Sequence, residues 1–310
     1  MVKSMGASLY VPANHKDLAG IANGEKLPQA RSLIFCLEDA IAEGELSWSL
    51  FNLSVVLENM RDEIPADRFV RVRNPDVMAR VLAMAGSEKL TGFVLPKVTR
   101  HNFEVYFRLV RDTGHMLMPT LETAEVFCDS EMQQLRSVFD APGVRQRILC
   151  LRIGGNDLLA LLGLRRPRGM TIYRTPLGPV IARLVTTFRP YGFALTAPVF
   201  EYLDLAELLD QEVLEDLAYG MVGKTAIHPT QIGPIEQHYK VRPQDLAVAR
   251  AILDDASPAV FRMDDAMCEV ATHRAWAESL VEQSHRFGAH ALDAARRPPG
   301  RTPSMEGEPS

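Results

Sequence analysis

Apolar residues along this chain gather into short runs rich in β-branched and aromatic side chains, each closed by polar residues, Gly or Pro. Eight such runs stand out: SLYVP (8–12), SLIFCLE (32–38), FVRVRN (69–74), GFVLPK (92–97), MLMPTLE (116–122), ILCLRIGG (148–155), FALTAPV (193–199) and MVGKTAI (221–227). Their length and composition predict buried strands. The segments between them, such as LSWSLFNLSVVLENMRDE, HNFEVYFRLVRDTG, GPVIARLVTTFRPYG and LAELLDQEVLEDLAYG, carry apolar residues at helical spacing. Strand alternating with helix implies parallel pairing, and eight units in this length suit a (β/α)8 TIM barrel, with a doubly wound open sheet as the alternative.

The barrel is expected over residues 1–243. Two stretches beyond it, PQDLAVARAILDDA and MCEVATHRAWAESLVEQSHRFGAHALDAA, predict extra C-terminal helices over 244–295, packed on the barrel or on a neighbouring subunit. The last stretch, 296–310, is rich in Pro, Gly and Ser and is expected to be disordered.

With 310 residues and 47% hydrophobic content, the chain has enough apolar surface for a large core. A net charge of −5 argues against a broad nucleic-acid surface, which needs a basic face. No stretch reaches the length of a membrane span, and the N-terminal residues lack the apolar core of a secretion signal, so a cytoplasmic enzyme is expected. Cys36, Cys128, Cys150 and Cys268 form no C-x-x-C pair, and three of them lie in apolar runs, the setting of buried free thiols.

Active-site groups of a barrel project from the carboxyl ends of its strands. Seven of the eight predicted strand ends here carry polar groups: Asn14; Glu38 and Asp39; Arg71, Arg73 and Asn74; Lys97; Glu122; Asn156 and Asp157; Lys224 with His228 close behind. Glu122 and Asp157 end consecutive strands, so their carboxylates are candidates to converge on one Mg²⁺, a hard cation that takes few protein acids and completes its shell with water and substrate oxygens. Asp157 as a helix cap is the plainer reading, and one loop can serve both. Gly154 and Gly155 are expected to let the backbone run close to a ligand, with Asn156 beside them.

Alternation places Arg71 and Arg73 on one face. Arg73 is a candidate to grip a substrate carboxylate and stabilise an enolate, with Asn74 next to it, while Arg71 serves equally well as a structural partner of an interior acid such as Glu38. Lys97 is a second substrate cation or, if desolvated, a Schiff-base amine. Arg165, Arg166, Arg168 and Arg174 form a cluster that either clamps an anionic substrate or lies in a solvated loop. The stretch AYGMVGKT (218–225) satisfies a loose nucleotide-binding pattern, but a helix is predicted before it and Pro229 follows too soon for a helix opening at Lys224, so a phosphate-binding loop is not expected.

The motifs SLYVPAN, CLEDAI, VRVRNP, VLPKV, PTLETAEV, GGNDLLALLG and GKTAIHPTQI, in this order over roughly residues 8–255, resemble those of the HpcH/HpaI aldolase and citrate lyase β-subunit family. The resemblance implies a Mg²⁺-dependent (β/α)8 barrel, homotrimeric or hexameric, that makes or breaks a carbon–carbon bond next to a carboxylate or thioester. It implies Glu122 and Asp157 as metal ligands, Arg73 as the substrate-carboxylate arginine, and Glu38 with Asp39 as the acidic pair near the metal waters, acting in acid–base catalysis. Lys97 and the segment from Lys224 to His228 match further positions at the same end.

The chain departs from the family pattern at Gly6, where the family has arginine, at Cys36, which replaces an acid, and in RRPRGMTIYRTPLGP and LTAPVFEYLD. These departures leave use of an acyl-CoA open, and they bring the chain closer to a divergent carbon–carbon bond lyase branch of tellurium-resistance-type stress operons. The expectation is a lyase or aldolase acting on a small anionic substrate. The alternative is a non-catalytic barrel that binds a metabolite or a partner protein.

Overall fold

In a computed structural model, which describes residues 4–291, eight parallel strands form a barrel: β1 (Gly6–Pro12), β2 (Ser32–Cys36), β3 (Asp67–Arg71), β4 (Gly92–Leu95), β5 (Met116–Leu121), β6 (Leu151–Ile153), β7 (Leu195–Thr196) and β8 (Gly223–Ala226). Neighbours pair in the order β7-β6-β5-β4-β3-β2-β1-β8. The ring closes between β7 and β8, where Val222 N–H donates to Leu195 O at 2.9 Å and Ala197 N–H to Gly223 O at 2.8 Å. Between and after the strands run α1 (Leu18–Ala22), α2 (Leu46–Glu58), α3 (Pro75–Leu82), α4 (Phe103–Val110), α5 (Asp129–Phe139), α6 (Gly155–Leu161), α7 (Leu177–Phe188), α8 (Ala206–Ala218) and α9 (Ile232–Tyr239). This is the (β/α)8 TIM barrel that the alternating pattern predicts, and the open sheet is set aside.

The barrel interior is built in layers. Met5, Ile34, Phe69, Val94, Met118, Cys150, Ala194 and Val222 pack together as a buried apolar floor. Side chains two residues further along a strand point the same way, about 6.6 Å closer to the carboxyl end. There the interior turns polar, with Cys36, Arg71, Thr120 and Arg152 above Ile34, Phe69, Met118 and Cys150.

The chain divides into two compact units at Tyr239/Lys240. The second unit holds α10 (Pro243–Leu253), a hairpin of β9 (Val260–Met263) and β10 (Ala266–Glu269), and α11 (Val270–Phe287) around a small core of Ala249, Ile252, Cys268 and Ala277. The hairpin corrects the expectation of helix from Met267 onward. Asp264 and Asp265 adopt positive φ of 49° and 57°, the backbone of a tight two-residue hairpin turn, so MCE pairs as a strand and the helix starts at Val270. Residues 292–295 of the expected helical extension and the expected disordered tail lie outside the described residues. Among the described residues no helix is long and apolar enough to cross a membrane.

Candidate active site

At the carboxyl ends of the strands lies a cavity of about 240 Å³ whose lining includes Tyr10, Cys36, Asp39, Arg71, Thr120, Glu122, Arg152, the loop Gly154–Asp157 and Thr225. Strands β5 and β6 deliver its two central acids. Glu122 follows β5 directly, is buried, and accepts the Lys97 backbone N–H at 2.9 Å through Oε1. Lys97 presents that N–H from a left-handed backbone, φ 50°, an uncommon conformation for a residue with a side chain. Asp157 stands in the first turn of α6, and its Oδ1 lies 3.5 Å from Lys97 Nζ.

Gly154 and Gly155 are there for space rather than for backbone freedom. At φ −88° any residue fits the backbone of Gly154, but a Cβ would sit 2.3 Å from Glu122 Oε2. A Cβ on Gly155 would sit 2.8 Å from the Pro198 ring. The expectation for the glycine pair is a backbone close to a ligand; the groups that meet these glycines within the chain are Glu122 and Pro198, which follow β5 and β7.

Arg71 holds the acids together. Its Nη2 lies 2.6 Å from Glu38 Oε2, 3.1 Å from Asp39 Oδ2 and 3.5 Å from Glu122 Oε1. Burial opposes its charge, but Tyr10, Glu122 and Glu38 outweigh burial and raise its pKa, so the guanidinium stays charged. Burial pushes the Glu122 carboxyl up, Arg71 and the Lys97 N–H pull it back, and Asp157 and Asp39 add to the rise. Glu38 is pushed up to about 7, chiefly by burial, with Arg71 opposing and the Asp39 carboxyl hydrogen-bonded to it adding to the shift. Crowded acids held by few cations are the environment in which a further cation is favourable. The donor set fits Mg²⁺: two carboxylates from adjacent strand ends on one open cavity, with room for water and substrate oxygens. Among the described residues no group of three or more His, Cys, Asp or Glu forms a fuller cage.

Several expected residues lie elsewhere. Arg73 is not part of the cavity lining: its Nη2 donates to Ile41 O at 2.6 Å, one step beyond Arg71 along the strand direction. Asn74 is the N-cap of α3, its Oδ1 accepting the Val77 N–H at 2.9 Å. Lys97 keeps its proton, since burial lowers its pKa but Asp157 leads the neighbouring acids in raising it, and a protonated amine is no Schiff-base nucleophile. Arg174 is exposed and outside the lining.

Arg166 is fully buried, with Nη1 2.5 Å from Glu212 Oε2 and Nη2 donating to Val199 O at 2.7 Å, and Arg168 pairs with Asp204, so these two arginines are held within the chain while Arg165 and Arg174 are exposed. Lys224 does not face the mouth either. Thr225 points into the cavity, so by alternation its neighbour Lys224 points outward, to Glu212 at 2.8 Å and Asp216 at 2.9 Å on α8. The helix α8 precedes a strand at 223–226, the reverse of a phosphate-binding loop.

Cys36 lines the cavity with its thiol pKa raised, chiefly by burial, which leaves it a neutral packing group. The residue that sequence reasoning passed over is Arg152. It sits in the middle of β6, 2% exposed, and it lines the cavity. A charge at the centre of LRI, two positions before Gly154, was the available signal.

A family model described as C-C_Bond_Lyase of the TIM-barrel fold matches residues 1–289. Over 245 residues, 78% of this chain and 79% of the relative, the chain is 27% identical to a (3S)-malyl-CoA thioesterase of Cereibacter sphaeroides. Among solved structures, a citrate lyase from Burkholderia xenovorans LB400 matches with a TM-score of 0.72 at 16% identity, over 93% of this chain and 94% of that one. Protein CitE from Mycobacterium tuberculosis, in complex with magnesium, acetoacetate and coenzyme A, matches with a TM-score of 0.66 at 21% identity, over 91% and 98%. At these identities the solved structures show the shared fold.

Proposed function

Since the chain belongs to the C–C bond lyase family of the TIM-barrel fold, we propose that it makes or breaks a carbon–carbon bond beside a carboxylate or keto group, through an enolate, with Mg²⁺ held by Glu122 and Asp157. The observation that carries this reading is the meeting of those two carboxylates on one cavity at the ends of β5 and β6. The magnesium in the CitE complex supports the choice of ion. When bound, the ion supplies Lewis-acid polarisation of a substrate oxygen as negative charge grows on it.

The chain's own residues do the rest. Arg71 fixes Glu38, Asp39 and Glu122 in place. In the metal-free site Glu38 is pushed up to about 7, and Asp39, hydrogen-bonded to it, reaches the cavity lining. The pair therefore suits a proton relay between buried protein and substrate, with Glu38 as the store and Asp39 as the exposed end. The Lys97 ammonium, 3.5 Å from Asp157, adds positive charge at the mouth. At about 240 Å³ the cavity lies below the usual range of about 300–1,000 Å³ for ligand pockets, so it suits an acid of a few carbons. A thioester substrate would keep its bulky part outside. The departures from the family pattern at Gly6 and Cys36 are the ground for placing the chain in the divergent stress-operon branch.

Retro-aldol cleavage of β-hydroxy acids and their thioesters, assayed with and without Mg²⁺ in the wild type and in Glu122→Gln, tests the reading. Turnover that needs the metal and falls at least about 100-fold in the variant is expected. Metal-independent turnover, or a fully active variant, refutes it.

A further inference from the structure

Two arginines share the polar layer of the barrel, and their surroundings differ. Arg71 has three carboxylates around one nitrogen. Arg152, almost fully buried, has no carboxylate partner among the described residues. Its Nη2 donates to Thr225 Oγ1 at 2.6 Å, its Nη1 has no partner, and its guanidinium carbon lies 5.4 Å from the centre of the Tyr10 ring. The strand register sets Thr120 of β5 and Thr196 of β7 level with Arg152 on either side. Both threonine hydroxyls are buried and also lack partners.

A buried guanidinium without a counter-charge is costly, as are buried polar groups without hydrogen bonds. Here one charge and three unmade hydrogen bonds fall at a single level of the barrel wall, and Arg152 and Thr120 line the cavity itself. An anion bonded to Nη1 would remove the charge penalty, and a second oxygen would take a threonine O–H. Two oxygens on one small planar group describe a carboxylate.

We propose that Arg152, with the hydroxyls of Thr120 and Thr196, forms the subsite that seats the substrate's carboxylate at the inner end of the cavity, opposite in charge to the acid cluster at Glu122 and Asp157. The assignment rests on reading the cavity as the lyase active site and names its substrate class: a small oxo or hydroxy acid bound with its free carboxylate inward. It moves the carboxylate-binding role from Arg73 to Arg152. Arg71, already shared among three acids, is a positioning residue.

Calorimetric titration of the Mg²⁺-loaded protein with glyoxylate, pyruvate, neutral pyruvamide and inorganic phosphate tests the subsite. At least one oxo acid is expected to bind, pyruvamide much more weakly. Arg152→Met should weaken the acid about ten- to a hundredfold, and Arg152→Lys should recover part of that loss. Affinity for Mn²⁺, read by its paramagnetic signal, should not change in either variant. If Arg152→Met fails to fold, Thr120→Val and Thr196→Val carry the same test, each expected to weaken the acid several-fold.

Equal affinity in the folded variants, no binding of either acid to the wild type, or phosphate preferred over both acids overturns the proposal. Loss of the acid in Arg152→Met without any metal-dependent cleavage by the wild type leaves the subsite standing and removes the lyase reading. Metal-dependent cleavage with an unchanged KM in Arg152→Met does the reverse.

Discussion

Gly154→Ala isolates the packing that places Glu122. At φ −88° the backbone of Gly154 accepts alanine without strain, so the added methyl is the whole perturbation. That methyl would sit 2.3 Å from Glu122 Oε2 and 2.5 Å from Glu122 Cβ, where about 3.5 Å is needed. Something must move by about 1 Å. Glu122 is the flexible partner, yet it is buried and tied to the Lys97 N–H at 2.9 Å and to Arg71 at 3.5 Å.

If the site holds, overpacking costs about 1–3 kcal/mol. If Glu122 swings away, a hydrogen bond to a charged group is lost, about 1.5–3 kcal/mol. Either route lowers stability by about 1–3 kcal/mol, read by urea unfolding. Turnover should fall about 100-fold, the effect of a 1 Å misplacement of a catalytic group. Gly44→Ala supplies the control. A Cβ there meets nothing within 4 Å and its φ lies outside the left-handed region, so the same substitution should stabilise by about 0.4–1 kcal/mol. A Gly154→Ala protein as stable and as active as the wild type refutes the argument that this glycine exists to admit Glu122.

Asn74→Ala should lose about 1 kcal/mol of stability with turnover unchanged, because the side chain caps α3; a changed KM with full stability would restore it to substrate binding. In metal-free protein, Glu38 holds its proton to about pH 7 when folded and loses it near 4.5 when unfolded, so the unfolded chain binds fewer protons in that window and stability falls as pH rises through it. Glu38→Gln should flatten this slope between about pH 6 and 7, while Asp216, raised to about 6, keeps a slope of the same sign below that; an unchanged slope above pH 6 counts against the assignment. Lys224→Met leaves Asp216 buried without its cation and Glu212 with Arg166 alone, and should cost about 3–5 kcal/mol in denaturant melts, and a loss under 1 kcal/mol would show that these charges compensate in another way.

The barrel was legible because its eight strands are short β-branched runs ended by turn residues, and because helices separate every pair. Strand length was less legible. In the run at 193–199 the strand itself spans only Leu195–Thr196, Ala197 adds a single bridge to Lys224, and the apolar residues run on beyond it. The hairpin of the second unit went unread for a different reason. Its strands are mostly exposed apart from Cys268, and its turn is Asp-Asp, without the glycine that marks most two-residue turns, so only tertiary context selects it.

The site divides along the same line. Glu122 and the loop 154–157 could be read because they stand where strands end, and chain position alone puts them at the mouth. Depth inside the barrel could not be read. Alternation places Arg71 and Arg73 on one face, but the two-residue step between them is about 6.6 Å, enough to put one in the cavity wall and the other at the Ile41 carbonyl. Which of the two meets the acids depends on where the neighbouring strands stand in register, and that is a property of the closed ring. Arg152 shows the same dependence. Its strand looked apolar and its charge incidental, until pairing with Thr120 and Thr196 set three unsatisfied polar groups at one height. A lone charge inside a barrel strand thus gains meaning only from the level it shares with its neighbours.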